Sequence, residues 1–250
     1  MELTVLGAQG TWPGAGGENC GYLLTQDGFH LWVDAGTGTF ARLQQVIPVD
    51  DVGAMLITHG HPDHFVDIIP TFYARHYGGL GKPGLPLWSP GGFTDLAAAL
   101  VSENGRNVMA EAYEFNTAVA GRPFDLGPFH VTPFEMVHIG VLSLGYRIEA
   151  GDTVFAYSGD TGPCDAAREL ARDAHLFLCE ATYQNTSRLY PFHLSAAQAG
   201  EIATEAGARH LVLTHLTPEL DHLVSIREAA DTFAGPIDIA VPGMVLEAGR

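Results

Sequence analysis

Positive charge is what this sequence has least of. Its 250 residues carry 12 Lys and Arg against 29 Asp and Glu, a formal net charge of −17. Proteins grip long nucleic acids largely by setting basic side chains against phosphates, so this balance argues against an extended RNA or DNA partner. It leaves open a small substrate that reaches a locally bound cation. Cysteine is sparse as well: Cys20, Cys164 and Cys179 are odd in number, scattered, and lack CxxC spacing. Reduced thiols in a reducing compartment are expected rather than a disulfide framework. No apolar run reaches the roughly 18 residues of a membrane-spanning helix. The opening "MELTVLGAQG" has neither a basic n-region nor an apolar h-region, so a cytoplasmic protein without a membrane partner is expected. Nor is there a Pro/Ser-rich linker, a charge block or a short-period repeat, and a single domain over residues 1–250 follows.

What the chain has in quantity is short apolar runs. "LTVLG", "CGYLLT", "FHLWVD", "AMLIT", "FHVTPFEM", "LSLGYRIEA", "TVFAYSG", "AHLFLCEA", "HLVLTH" and "IDIAV" read as strands. Helical patterns fall near 38–46, 64–77, 92–103, 164–173, 195–206 and 222–234. Ser195 with Gln198 forms a capping box that fixes the start of the fifth. The interleaving predicts an α/β fold with two mixed sheets covered by helices. "GTWPGAGGEN" and "GGLGKPGLP" read as loops. Asp34, His59, Asp160, Glu180 and His215 recur at C-terminal strand ends, where packed α/β folds build their sites.

The densest stretch is "LITHGHPDHFVD", residues 56–67. His59 and His61 are two apart, Asp63 and His64 follow, and Pro62 stiffens the turn. Imidazoles and a carboxylate so placed suit zinc or a similar divalent ion. Other donors must come from elsewhere, and His138, Asp160 and His215 each follow a strand. Together these are seven candidate ligands, enough for two metals if Asp160 bridges them.

The order HxHxDH, then His, Asp and His resembles the metallo-β-lactamase superfamily, over residues 34–215. The resemblance implies a four-layer αββα sandwich. It implies one divalent metal on His59, His61 and His138, and a second on Asp63, His64 and His215. Asp160 would bridge them beside a water or hydroxide that attacks the substrate, and Asp63 could also accept a proton. Zn2+ is the default, with Mn2+ or Fe2+ open. Asp34 matches the family's first motif, a support for the metal loop. His61, where the di-iron redox branch has Glu, argues against that branch.

"FLCEATY" and "FHLSAAQAGEIA" resemble paired motifs of the tRNA 3′-processing endonuclease (RNase Z) branch and its phosphodiesterase relatives. By that resemblance Glu180 orients His193, and His193 contacts the scissile phosphate. Independently, His193 lies two residues before a helix N-cap, whose free amides favour an anion. Endonucleases of that branch insert a long basic arm between the third and fourth motifs. Here His138 and Asp160 are only 22 positions apart, filled by a hairpin-like segment. The segments "SGDTGPC", "FLCEA" and "HLSAAQAG" are similar instead to the atypical class II cyclic-nucleotide phosphodiesterases of bacteria. That implies hydrolysis of a small phosphodiester such as a 3′,5′-cyclic nucleotide. A thioester or lactone hydrolase on the same cage is the alternative, and a pre-tRNA nuclease a more distant one. Relatives are commonly homodimers, and "FVDIIPTFYARHY" is the candidate contact. Phe65, Phe72, Tyr73, Trp88 and Phe93 are assigned to the core in preference to a nucleobase-stacking face. Cys164 is read as a helix start, and "GTWPGAGGENCG" as a border of the metal site.

Overall fold

The computed structural model describes residues 1–185 and 189–249. Fourteen strands and eight helices are assigned among them. The strands are β1 (Glu2–Gly7), β2 (Gly21–Gln26), β3 (Phe29–Ala35), β4 (Val52–Leu56), β5 (Leu85–Ser89), β6 (Tyr113–Thr117), β7 (Phe124–Leu126), β8 (Phe129–Met136), β9 (Ser143–Ala150), β10 (Thr153–Tyr157), β11 (Leu176–Glu180), β12 (Leu211–Thr214), β13 (Ile237–Ile239) and β14 (Val245–Glu247). The helices are α1 (Thr39–Val46), α2 (Pro62–Phe65), α3 (Ile68–His76), α4 (Phe93–Ala99), α5 (Gly105–Met109), α6 (Asp165–Leu170), α7 (Ala196–Ala206) and α8 (His222–Ala230).

Two seven-stranded sheets form, ordered β14-β1-β2-β3-β4-β5-β6 and β13-β12-β11-β10-β9-β8-β7. Both share one plan. The run from β14 to β3 and the run from β7 to β10 are antiparallel, while β3 to β6 and β10 to β13 are parallel. Alternation makes this possible: in β8 Phe129, Val131 and Pro133 turn inward while His130 faces solvent. The inner faces bury one apolar cluster between the sheets, and two further clusters lie under the helices on either outer face. This is the expected αββα sandwich. No helix among the described residues is long and apolar enough to cross a membrane.

Three core tyrosines connect that interior to the strand ends. Tyr146 donates to the Ile57 carbonyl at 2.7 Å, Tyr157 to Asp34 at 2.9 Å, and the Tyr22 hydroxyl meets that of Thr214 at 2.6 Å. Each ring fills apolar space while its hydroxyl satisfies a polar group at a strand end.

Several elements depart from the sequence reading. The helix expected near 64–77 is broken into α2 and α3, because the Asp67 amide bonds the Ala35 carbonyl and its carboxylate takes the Phe40 amide. The pattern near 92–103 likewise divides into α4 and α5, where Gly105 sits so close to Ala98 that a Cβ would lie 1.9 Å from the Ala98 carbonyl oxygen. The loop "GGLGKPGLP" ends early, since Leu85 already begins β5. Strands β6, β7 and β14 carry too little apolar alternation to be read alone; sheet pairing makes them.

Candidate metal centre

The metal-type residues gather where the parallel strands of both sheets end. Beyond β4, the Ile57 amide bonds the Trp88 carbonyl and the Thr58 amide bonds Asp34, which steers the chain outward. Pro62 at the first position of α2 then closes one helical turn, with the His64 amide on the His61 carbonyl. Three strained residues flank the site: Thr11, Asp34 and His215 adopt φ of 62°, 54° and 56°, the left-handed region that non-glycine residues rarely occupy.

Two groups of donors meet at Asp160. His61 Nδ1 lies 3.1 Å from His59 Nε2 and 3.0 Å from His138 Nε2, and both Nε2 atoms are 3.7 Å from Asp160 Oδ2. On the other side His215 Nε2 is 3.3 Å from both Asp63 Oδ2 and Asp160 Oδ2, and His64 Nε2 is 3.2 Å from Asp160 Oδ1. All seven residues are therefore brought together from β4, β8, β10 and β12. Among the described residues, His64 Nε2 and Asp160 Oδ1 are buried with no directed hydrogen bond, facing each other at 3.2 Å. An orphaned buried polar atom costs about 1–3 kcal/mol, which a cation between these groups would offset. The donor set and its orphaned atoms fit divalent ions.

The rings are held by their far nitrogens, as ligating histidines usually are. His64 Nδ1 donates to Asp34 Oδ2 at 2.8 Å, His138 Nδ1 to the Phe192 carbonyl at 3.0 Å, and His215 Nδ1 meets the Thr182 hydroxyl at 2.8 Å. His59 Nδ1 lies 3.1 Å from the Thr58 hydroxyl. Burial pushes His59, His61 and His138 below the ordinary imidazole value, which keeps their lone pairs available. His64 goes the other way: burial opposes its charge, but Asp160 and Asp63 outweigh it and hold its pKa high. Asp63 and Asp160 are correspondingly depressed, burial being overcome chiefly by His64 and His215.

Glu180 and His193 stand beside this cage. Glu180 is fully buried and accepts from the Thr161 amide at 2.7 Å, the Leu194 amide at 3.2 Å and the Thr182 hydroxyl at 2.7 Å. His193 Nδ1 lies 2.9 Å from Glu180 Oε1, and its ring stacks on His215 at 5.4 Å. Burial would lower the His193 pKa, but Glu180 raises it to about 9. An open cavity of about 370 Å³ is lined by Thr11, His61, Asp63, His138, Asp160 and His193 among others.

Against known proteins, the beta-lactamase superfamily domain matches residues 9–216. The chain belongs to the beta-lactamase superfamily. Within it, the probable metallo-hydrolase YhfI of Bacillus subtilis (strain 168) is 30% identical, over 99% of this chain and 100% of its own. The crystal structure of YhfI superposes with a TM-score of 0.89 at 27% identity, covering 98% of this chain and 99% of that one. Ribonuclease Z of Thermobifida fusca (strain YX) is 28% identical, over 96% of this chain and 92% of its own.

Several residues of this superfamily site were not legible in the sequence. The Thr182 hydroxyl links Glu180 to His215, and Thr58 links Asp34 to His59. Thr11, at φ 62°, aims its amide at Asp63 Oδ2 at 2.8 Å, so the glycine-rich loop does border the site. Cys20 lies near His64 and His215, but burial pushes its thiol pKa up and keeps it protonated. The only signal for the threonines is proximity to a motif, which a hydroxyl shares with any turn residue. Cys164 is the N-cap of α6, as its spacing suggested. Phe65, Phe72 and Phe93 are buried and Trp88 stacks on Phe124, whereas Tyr73 is exposed on α3, against its core assignment, its ring stacking on Tyr77 just past the helix end.

Proposed function

We propose that this metallo-hydrolase cleaves small phosphodiesters, with a 3′,5′-cyclic nucleotide as the substrate class. The observation that carries the reading is the Glu180–His193 pair beside the cage, at 2.9 Å. Acyl-ester hydrolysis on the same cage needs no such pair. In this reading His59, His61 and His138 hold one divalent ion and Asp63, His64 and His215 the other, with Asp160 between them. Zn2+ is the proposed metal, and nitrogen and carboxylate donors would also take Mn2+ or Fe2+. Such ions would supply positive charge against the phosphate and acidify water.

The chain's own residues do the rest. His193, held by Glu180 through Nδ1, is protonated at neutral pH and presents its other nitrogen for a phosphate oxygen or the departing alkoxide. Divalent ions held on the neighbouring ligands would lower that pKa from about 9. In this reading Asp63, held by the Thr11 amide at 2.8 Å and beside His215, would take a proton from the attacking water. Between His138 and Asp160 the chain is consumed by β9 and β10, which leaves no length there for an RNA-gripping arm. With a net charge of −17, that supports a small substrate over a long nucleic acid. A second copy of the chain is the proposed protein partner, seated on the exposed Tyr73, Tyr77 and Leu80 at the end of α3, with sedimentation as its check. A cytoplasmic setting is proposed with it, consistent with three free cysteines.

The test is turnover of 3′,5′-cyclic AMP by zinc- or manganese-loaded protein, with Asp160→Ala as blank and His193→Ala beside it. The expected result is AMP release by the wild type, none by Asp160→Ala, and strongly reduced release by His193→Ala at unchanged metal content. Cleavage of an aryl phosphodiester alone would retain the chemistry and discard the cyclic nucleotide. Inertness toward both, or loss of metal in His193→Ala, would sink the assignment.

A further inference from the structure

Beside the metal-type cluster lies a second hollow that the reaction as described leaves unused. A cavity of about 210 Å³ opens against Gly60, the residue between His59 and His61. Its remaining walls are Pro90, Gly91, Gly92 and Phe93 at the start of α4, Leu96 on that helix, and Val141 and Leu142 just beyond His138. Among the described residues, no ionisable or hydrogen-bonding side chain lines it. Leu96 and Leu142 are each more than two-fifths exposed, and Ile139, which borders the catalytic cavity, is 53% exposed. The hollow meets the cage through the chain itself, since Gly60 lies between His59 and His61 and Val141 follows three residues after His138.

Glycines make this hollow possible. A Cβ on Gly60 would lie 2.6 Å from Leu96 Cδ2, so any side chain there would drive Leu96 into the space. At Gly91 and Gly92 a Cβ would meet nothing within 4 Å, which leaves bare backbone as an open floor between the leucines. A hollow with apolar walls and no side chain projecting from Gly91 or Gly92 accepts a planar ring, and a water-exposed apolar surface at the edge of a site gains most by covering one.

We propose that this ledge seats the planar ring of the ester group that stays on the phosphate, a nucleobase or an aryl group, and not that of the leaving group, by apolar contact and shape. The inference rests on the phosphodiesterase reading of the neighbouring site. Because no side chain of the ledge donates or accepts a hydrogen bond, it favours aromatic over aliphatic diesters and does not read one purine against another through its side chains.

The experiment compares bis(p-nitrophenyl) phosphate with methyl p-nitrophenyl phosphate, which share a leaving group but differ in the ester that stays behind. The ratio of their kcat/KM values is measured for wild type and for the double variant Leu96→Ala/Leu142→Ala, both metal-loaded. Intrinsic reactivity cancels between the two proteins, and the methyl ester reports on folding and on the cage. The expected result is a ratio about tenfold smaller in the variant, at an unchanged rate on the methyl ester. An unchanged ratio, or an equal fall on both diesters, overturns the ledge while leaving the phosphodiesterase standing. Failure of the wild type on both diesters overturns the two readings together.

Discussion

Exchanging Asp34 for Asn isolates how a buried group that need not touch metal controls metal binding. Asp34 is fully buried, and its carboxylate accepts from the Thr58 amide at 2.8 Å, the Thr58 hydroxyl at 2.9 Å, Tyr157 at 2.9 Å and His64 Nδ1 at 2.8 Å. Asn keeps the shape but replaces one acceptor oxygen with a donor. If the new NH2 faces Thr58 N–H, two buried donors oppose each other and the base of the metal loop is loosened. If it faces His64, Nδ1 loses its acceptor and the ring becomes the neutral tautomer that keeps its proton on Nε2, where a metal would have to displace it. Either arrangement leaves a buried donor unsatisfied, at about 1–3 kcal/mol. For a chain of this size that corresponds to a fall in Tm of roughly 2–12 °C in the metal-free protein. Metal affinity should fall roughly 10–100-fold, about 1.4–2.7 kcal/mol. Chelator competition, read as ions retained per chain, measures the second quantity and thermal unfolding the first. A lower Tm with unchanged affinity would reduce Asp34 to a structural group, and no change in either would refute the hydrogen-bond reading altogether.

Two glycines separate the cage from the acid. A Cβ on Gly36 would lie 2.0 Å from the Asp63 carbonyl oxygen, so Gly36→Ala should displace the metal loop and lower the ions bound per chain. A Cβ on Gly162 would lie 1.9 Å from the Pro191 carbonyl oxygen, so Gly162→Ala should shift the segment that carries His193 and the Phe192 carbonyl that holds His138, cutting turnover by more than its loss of metal accounts for. Identical metal loss in both would contradict that separation. A pH series supplies another prediction. His64 has a folded-state pKa raised by Asp160 and Asp63, so its contribution to the metal-free fold is complete below the unfolded imidazole value and is lost as pH rises through the folded one. Metal must displace the same proton and binds more tightly as pH rises. The Tm gain on adding Zn2+ should thus grow with pH above about 6.5; a gain that shrinks over that range would refute the assignment of a charged His64.

The legible parts of this protein were those written in local periodicity or in spacing. Strand β8, the start of α7 at its capping box, and the HxHxDH turn could be read directly, because side-chain alternation, a cap and a stiff loop are each decided within a few residues. The break between α2 and α3 could not, since it depends on Asp67 bonding across to Ala35 and Phe40. Strand β5 was hidden behind a Gly/Pro run whose local signal is a loop.

The same division holds within the site. The sequence by itself determined which donors are available and in what order, because ligand chemistry belongs to residue type. Only the tertiary structure decided that Thr182 and Thr58 tie these donors together, that Cys20 stays a packing thiol, and that Gly60 borders an apolar ledge. Those facts turn on distances between strands remote in the chain, and only the packing of two sheets sets such distances.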